Sequence, residues 1–394
     1  MKLDIFCEMM KPKAFFGEGQ EHTLIQETLE QARLADELGY GCWWQVEHHA
    51  APHFSYSSAP ELMLTAIAQM TRRIRVGHSA VLAPVRINHP IRIAERAAFL
   101  DHLSKGRLEL GLARSTIPEW RVFNVEADDV RRQAQQAFEA IPKMWTQEKF
   151  SWSSPDFTVN DISVVPKPYQ KPHPRLWQAV ASPGGFEQAG RNGVGALVTT
   201  IQNPIEAVSA MLDVYRGEIA RCKPVGQTVN DQVALFTFVH CAETEREAIE
   251  HGAAAAVAWY INTSFSFFEA RDFMLRATDE LVASVARDPK SPLAEFARIT
   301  AEKTRAPKTP MTQLLDRIMA GEEISNEEVY EILNADAAVI IGDVAQCRKK
   351  MQRYRDVGID RLMCFQQVGH LPHEHIMKSI RLVGEHLIPE FDRD

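Results

Sequence analysis

"IRVGHSAVLAPVRINHPIRIAERAAFLDHLSKGRLELGLA", residues 74–113, carries the pattern that decides the fold. An apolar, β-rich run at 74–81 is followed by a segment of helical period at 90–103. Gly106 in "LSKGR" suits a left-handed cap that closes this helix, and "RLELGLA" (107–113) returns as a strand. The same unit recurs in both directions along the chain. Upstream lie strands at 3–8 and 41–47 with helices at 21–38 and 59–72. Downstream lie strands at 175–180, 195–200, 232–241 and 360–367, with helices near 127–146, 184–191, from 204, from 244, 344–356 and 373–388. "AVIIGD" opens the last of these units.

Eight strands, each followed by a helix, predict an α/β fold of the TIM (β/α)8 barrel type. No GxGxxG follows the first strand, so the open doubly wound alternative lacks its phosphate loop. The domain is expected to be single over 1–394, with two insertions. One, after strand four, is a hairpin at 150–172 that ends in the proline-stiffened "PKPYQKPHP"; the other, 266–336 between strands seven and eight, is placed as a mobile lid by length and position.

Composition excludes several classes. The 394 residues are 45% apolar and 24% charged, ordinary for a globular protein. The net charge of −8 is spread along the chain, which disfavours nucleic acid as a partner. Six cysteines at 7, 42, 222, 241, 347 and 364 form no CxxC pair, which fits reduced thiols in a cytoplasmic setting. The apolar run of "MKLDIFCEMMKP" is too short for a signal peptide, and no membrane span is expected.

In such barrels the chemistry sits at the carboxyl ends of the strands. That places Glu8 after strand one, Glu47, His48 and His49 after strand two, and His78, Ser79 and Ala80 within strand three. Arg114, Ser115 and Thr116 follow strand four, Ser182, Gly184 and Gly185 strand five, and Gln366 and Gln367 strand eight. Adjacent strand residues face opposite ways, so His48 and His49 reach one metal ion only if the strand has already ended. The chain's His-x-His, His373 and His375, falls at the start of the final helix, and no metal site is expected. A histidine beside Glu47 is a ready acid or base, while the bland alternative is one structural and one solvated histidine. "GLARSTIPEW" (111–120) pairs a cation with hydroxyls, and "ASPGGFEQAG" (181–190) runs straight into a helix. Each alone is compatible with an ordinary cap; together they point to a phosphate-bearing cofactor across strands four and five.

"EHHAAPHF" after strand two, the block from "VGHSAV" to "GLARS", "PKPYQKPHP", "ASPGGFEQAG" and "GIDRLMCFQQVGHLPHEHIMKSIRLVGEHLIPEF" together resemble the bacterial luciferase-like, flavin-dependent monooxygenases, close to the luciferase catalytic subunit type. The resemblance covers roughly 1–260 and 336–390. It implies a TIM barrel that receives reduced FMN from a separate flavin reductase. The FMN reacts with O2 to a peroxyflavin that oxygenates a lipophilic substrate, an aldehyde or ketone. It further implies His48 as the catalytic histidine, Glu47 as the carboxylate beside the flavin and His49 as its neighbour near the substrate. Ser79–Ala80 becomes a non-prolyl cis peptide at the flavin ring, and Arg114, Ala181, Ser182, Gly184 and Gly185 become the phosphate contacts. By analogy the partner is a second copy, in a homodimer.

The sequence departs from the luciferase at Ala113, where that enzyme has a reactive cysteine, at Ala181, where it has an acid, and at Gly185, where it has a threonine. Trp43, Trp44, Phe54, Met9, Met10, Phe15 and Phe16 are candidates for an apolar wall, with core or subunit packing the plainer reading for at least one of the two tryptophans. Competing readings are a deazaflavin-dependent oxidoreductase of the same superfamily, a non-catalytic flavin-binding subunit and a metal-dependent barrel hydrolase.

Overall fold

A computed structural model describes residues 1–200, 205–269, 309–335 and 338–392, with isolated positions between 283 and 294. Among these residues the strands are β1 (Lys2–Cys7), β2 (Cys42–Gln45), β3 (Arg75–Leu82), β4 (Leu108–Ala113), β5 (Phe150–Ser153), β6 (Thr158–Ile162), β7 (Arg175–Ala179), β8 (Gly195–Thr199), β9 (Val233–Cys241), β10 (Val339–Gly342) and β11 (Arg361–Phe365). The helices up to the second insertion are α1 (Lys13–Phe16), α2 (Glu21–Leu38), α3 (Pro60–Met70), α4 (Pro90–Leu103), α5 (Ile117–Phe123), α6 (Val130–Thr146), α7 (Pro183–Asn192), α8 (Ile205–Ile219), α9 (Glu245–Glu250) and α10 (Ala253–Phe267). Then come α11 (Pro310–Met319), α12 (Asn326–Asn334), α13 (Val344–Val357), α14 (His373–His386) and α15 (Ile388–Phe391).

Eight parallel strands close on themselves in the order β1, β2, β3, β4, β7, β8, β9, β11, with β11 pairing back to β1. This is the TIM barrel expected from the sequence. The expected hairpin is the antiparallel pair β5–β6. The run "AVIIGD" adds a ninth strand, β10, which pairs with the upper part of β9 from Phe238 to Cys241 while β11 pairs with its lower part. The expected lid at 266–336 lies largely outside the described residues; its last stretch forms α11 and α12, which pack against α10.

Local signals explain the helix boundaries. His89 is extended and its Nδ1 accepts the Ile91 N–H at 3.3 Å, so Pro90 enters α4 where no donor is needed. At the far end Gly106 takes φ +81°, which glycine adopts without a Cβ penalty. Arg107 then donates to the carbonyls of Ala68, Ile74 and Ser104 at 2.6, 2.7 and 2.8 Å. One guanidinium thus satisfies orphan carbonyls at the ends of two helices.

Inside the barrel the floor is polar but paired. Arg361 forks onto Asp4 at 2.7 and 2.9 Å, and Arg75 and Arg175 both reach Glu109. The indole N–H groups of Trp44 and Trp177 donate to Asp4 and Glu109 at 2.7 and 2.8 Å. Each indole lies over a glycine, Gly77 or Gly195, where a Cβ would come within 2.3 or 2.4 Å of the ring. Trp43 faces the opposite way and donates to Gln45. Both tryptophans are fully buried and belong to the core, which corrects the idea that they wall the site. Above the floor, Phe6 stacks on Phe236 with centroids 4.2 Å apart, and Phe238 and Phe365 continue the apolar layer.

Between His78 and Val81 the β3–β4 register shifts, and the Ser79–Ala80 peptide is cis, as the resemblance implied. Gly111 of β4 makes room for this corner: a Cβ there would lie 2.3 Å from the His78 carbonyl oxygen and 3.2 Å from Ala80 Cβ. We therefore expect Gly111→Ala to destabilise the barrel by about 1–3 kcal/mol. The measurement is the midpoint of chemical unfolding, and an unchanged midpoint contradicts this packing account.

Candidate functional site

The histidine corner begins where β2 ends. Beyond Gln45 the chain leaves the sheet, and His48 is fixed by its N–H on the Ser57 carbonyl at 2.9 Å. Because the strand has ended, Glu47, His48 and His49 need not alternate. The Glu47 carboxylate accepts from the Leu82 N–H at 2.9 Å, Asn88 Nδ2 at 2.8 Å and His49 Nε2 at 3.0 Å. It ties the corner to the end of β3, and its hydrogen-bonding capacity is spent on orientation.

His48 lies between two other carboxyls. Its Nδ1–H donates to Glu119 Oε1 at 3.1 Å, and its Nε2 is 3.7 Å from Glu8 Oε2. Three aromatic rings enclose it edge-on, Phe54, Phe267 and Phe268, with centroids 5.4–5.6 Å away. Glu119 is fully buried in α5 and also accepts from Ser115 Oγ at 2.6 Å and Thr116 Oγ1 at 2.9 Å. Burial alone would raise its pKa, but the bonds from His48, Ser115 and Thr116 outweigh it and bring it down to about 2. For His48 burial works downward, yet the Glu119 bond and the charges of Glu8, Glu119 and Glu47 lift it above the ordinary value. The ionised Glu119 thus favours the imidazolium form of His48.

A second cluster lies at the ends of β4 and β7. Arg114, Arg131, Gln178, Gly184, Gly185 and Gln188 line a cavity of about 110 Å3. Ser182 caps α7 in extended backbone, 4% exposed, with no partner for its Oγ; Gln178 Oε1 is likewise buried and unpartnered. A Cβ on Gly184 would meet nothing within 4 Å. Two guanidinium-bearing residues, a helix N-terminus and an orphan hydroxyl make a donor set suited to a phosphate, so these residues fit a phosphorylated cofactor. Ala181 is half-buried on the loop before Ser182.

The hydroxyls of Ser115 and Thr116, expected at an anionic ligand, are engaged elsewhere. They satisfy Glu119, whose capping box on Thr116 is readable as T-x-x-E at 116–119. Arg131 was missed, because nothing in its surroundings on the chain marks a ligand. Of the proposed apolar wall, Phe54 stands at His48, while Phe15 stacks on His370 at 4.2 Å, half exposed. Gln366 and Gln367 are engaged with Tyr40, Ser379, Thr28 and Gln31. His373 pairs with Gln31 and Glu30, and His375 stacks on His251 at 3.6 Å. Among the described residues no group of three or more His, Cys, Asp or Glu is arranged to hold a metal, and no helix is long and apolar enough to cross a membrane.

The Glu119–His48 pair has a defined pH signature. The depressed Glu119 stabilises above its ordinary pKa of 4.5 and loses this as pH falls toward 2; the raised His48 stabilises below its ordinary 6.5 and loses this as pH rises through its higher folded value. Their joint contribution is therefore complete between these two ordinary values. We expect Glu119→Gln to lower the His48 pKa and to cost about 1–3 kcal/mol in that window. Histidine-resolved NMR titration and unfolding at stepped pH measure both. An unchanged His48 titration removes Glu119 as its charge partner.

With this geometry in hand, three relatives and one family bear on the chain. The profile of the luciferase-like monooxygenases matches residues 9–361. Limonene 1,2-monooxygenase of Rhodococcus erythropolis is 27% identical over 70% of this chain and 72% of its own length. The oxygenase component of flavin-dependent trigonelline monooxygenase from Acinetobacter baylyi is 26% identical over 63% of this chain and 67% of its own. The crystal structure of monooxygenase RslO1 from Streptomyces bottropensis superposes with a TM-score of 0.74 at 25% identity, covering 99% of this chain and 100% of that one. A family match across both the histidine corner and the arginine cavity settles the assignment: the chain belongs to the luciferase-like monooxygenase family.

Proposed function

We propose that this chain is the oxygenase component of a two-component flavin monooxygenase. In this reading it takes reduced FMN from a separate flavin reductase and uses O2 to oxygenate a lipophilic substrate, an aldehyde or ketone. The observation that carries it is the pairing, on one rim of one barrel, of a phosphate-suited cavity with a buried histidine bonded to a carboxylate under an aromatic roof. The trigonelline relative, named as a flavin-dependent oxygenase component, supports the division of labour with a reductase.

Arg114, Arg131, the amides opening α7 and the Ser182 hydroxyl would hold the FMN phosphate. The Ser79–Ala80 corner, level with Gly111, offers its backbone to the ring. Bound reduced FMN supplies the electron pair that activates O2. Glu47 keeps the corner rigid through Leu82 and Asn88. His48, whose charged form Glu119 favours, delivers a proton from Nε2 to the reacting oxygen. Phe54, Phe267 and Phe268 exclude water, which keeps that proton from exchanging during the reaction. His49, held by Glu47 and set edge-on to Phe123, forms the border toward the substrate.

Leu62 on α3 and Phe99 on α4 are 70% and 59% exposed on neighbouring helices, which supports a second copy as partner in a homodimer. All six cysteines are unpaired thiols, which supports a reducing, cytoplasm-like setting.

Mixing the protein anaerobically with photoreduced FMN, then adding O2 and a panel of aldehydes and cyclic ketones, tests the reading. We expect oxygen uptake coupled to oxygenated product. Turnover with a reduced deazaflavin and no oxygen uptake overturns it in favour of hydride transfer. Arg114→Ala is expected to weaken FMN binding by about 1.5–3 kcal/mol, roughly tenfold to a hundredfold in Kd; calorimetry reads this directly. His48→Ala is expected to keep FMN binding while product formation falls about 100-fold or more. Undiminished product removes His48 from the reaction.

A further inference from the structure

We infer that Glu8 is the proton reservoir of His48: its carboxyl replaces the proton that the Nε2 nitrogen gives up. This rests on the proposed role of His48 as proton donor; the proposed function itself gives Glu8 no role.

The placement is unusual for a carboxyl. Glu8 follows the last residue of β1, directly at the barrel mouth, and is 2% exposed. The Ser55 hydroxyl grips its carbonyl oxygen at 2.6 Å and so fixes the backbone there. Its Oε1 accepts the Tyr260 hydroxyl of α10 at 3.2 Å. Its Oε2 is buried with no hydrogen-bond partner and faces His48 Nε2 across 3.7 Å. Carboxyls buried without a cation in hydrogen-bond reach favour the neutral form. Burial pushes Glu8 up, and the Glu119 charge adds to this, against the His48 charge and the Tyr260 bond, which work downward.

Two carboxyls therefore flank one imidazole in different states. With Glu119 ionised on the Nδ1 side and Glu8 holding a proton on the Nε2 side, the lift on His48 comes from Glu119 and Glu47 alone. A gap of 3.7 Å is longer than a hydrogen bond, so the Nε2–H is not consumed by Glu8 and remains available to a reacting oxygen. Once that proton leaves, the imidazole is neutral and Nε2 has a free lone pair. The Glu8 O–H bond then breaks, an Nε2–H bond forms, and the charge left on Glu8 is met by the Tyr260 hydroxyl already in place. One proton taken from solvent after release of product restores Glu8. The charged and titratable groups facing the pair are Glu119 of α5, Glu47 and His49 of the corner, Tyr260 of α10 and Cys7 of β1.

The test uses the full chain without flavin, then with it. Histidine-labelled protein is titrated by NMR, with the His48 signal assigned through His48→Gln. Two coupled groups release their protons in two steps that both register on the same ring. We expect a two-step curve for His48 in the wild type and a single step in Glu8→Gln, which keeps an acceptor for Tyr260. Infrared spectra of the wild type at neutral pH should show the carbonyl stretch of a protonated buried carboxyl, shifted in Tyr260→Phe. That second variant and the wild-type spectrum decide the matter even where Glu8→Gln does not fold. With reduced FMN, Glu8→Gln should slow oxygenation about 10–100-fold and lose one limb of the pH profile, with FMN affinity unchanged.

A single-step His48 curve in the wild type, or a curve unaltered in Glu8→Gln, overturns the proposal. So does a neutral-pH spectrum without the protonated band. Failure of the protein to bind FMN or take up O2 overturns the proposed function and leaves the flavin-free titration standing. A protein that oxygenates normally but titrates in one step sinks the role of Glu8 alone.

Discussion

Closure of the barrel depends on a buried ion pair between its two ends. Asp4 belongs to the first strand and Arg361 to the last, and their forked contact lies across the seam where β11 meets β1. Asp4 is fully buried and Arg361 is only 5% exposed. A charge placed there alone would be costly, and breaking such a pair by removing one partner typically costs about 3–5 kcal/mol. The Trp44 indole adds its N–H to Asp4, and Gly41 leaves room for the pair, since a Cβ there would fall 2.7 Å from Asp4 Oδ1. Glu109 repeats the arrangement on the far side with Arg75, Arg175 and Trp177. The floor is therefore specific in register as well as filled. With register set at the bottom, the carboxyl ends of the strands at the top are set too, and these carry Glu8, the histidine corner and Arg114.

At the rim the same physics is used for the opposite purpose. Around His48 the carboxyls are not all matched by cations. Glu119 has five donors, from His48 Nδ1, the Ser115 and Thr116 hydroxyls and the backbone N–H groups of His49 and Thr116, so its charge is stabilised without water. Glu8 has one donor and a bare oxygen. Two titratable groups a few ångströms from one imidazole are pushed in opposite directions by their surroundings, the arrangement by which a fold assigns acid and base roles at neutral pH. Glu47, next to His48 on the chain, serves geometry, because its oxygens are taken by the Leu82 N–H, the Asn88 amide and the His49 ring.

Much of the fold was legible because its signals are local. The bounds of α2 and α4 follow from Gly39, from Pro90 behind an extended His89, and from Gly106, all within a few residues of the ends they mark. The histidine corner and Arg114 were legible through motifs at strand ends. What escaped has a common cause. Glu119 reaches His48 across 71 positions, Tyr260 reaches Glu8 across 252, and Arg131 meets the cavity only because α6 packs beside β4. No spacing on the chain encodes such meetings. Likewise Trp44 reads as a candidate for the apolar wall in the sequence, and Trp177 carries no reading there at all. Only the register shows that Gly77 and Gly195 lie beneath them, which makes them floor. The sequence shows β10 as part of a unit, but its place beside the upper half of β9 depends on that strand being longer than its neighbours.

Two helices bracket His48, and their contacts are not independent. Helix α5 contributes Glu119 to Nδ1, and its Arg121 forks onto Glu269, just beyond the end of α10. Helix α10 contributes Tyr260 to Glu8 and Phe267 and Phe268 to the roof. Displacing the end of α10 would wet His48 and at the same stroke weaken the support of the Glu8 carboxylate. Exclusion of water and the protonation of the two carboxyls are consequently one property of the packing between α5 and α10. That coupling suits a reaction in which a proton must stay in place until the oxygen it is meant for has been activated.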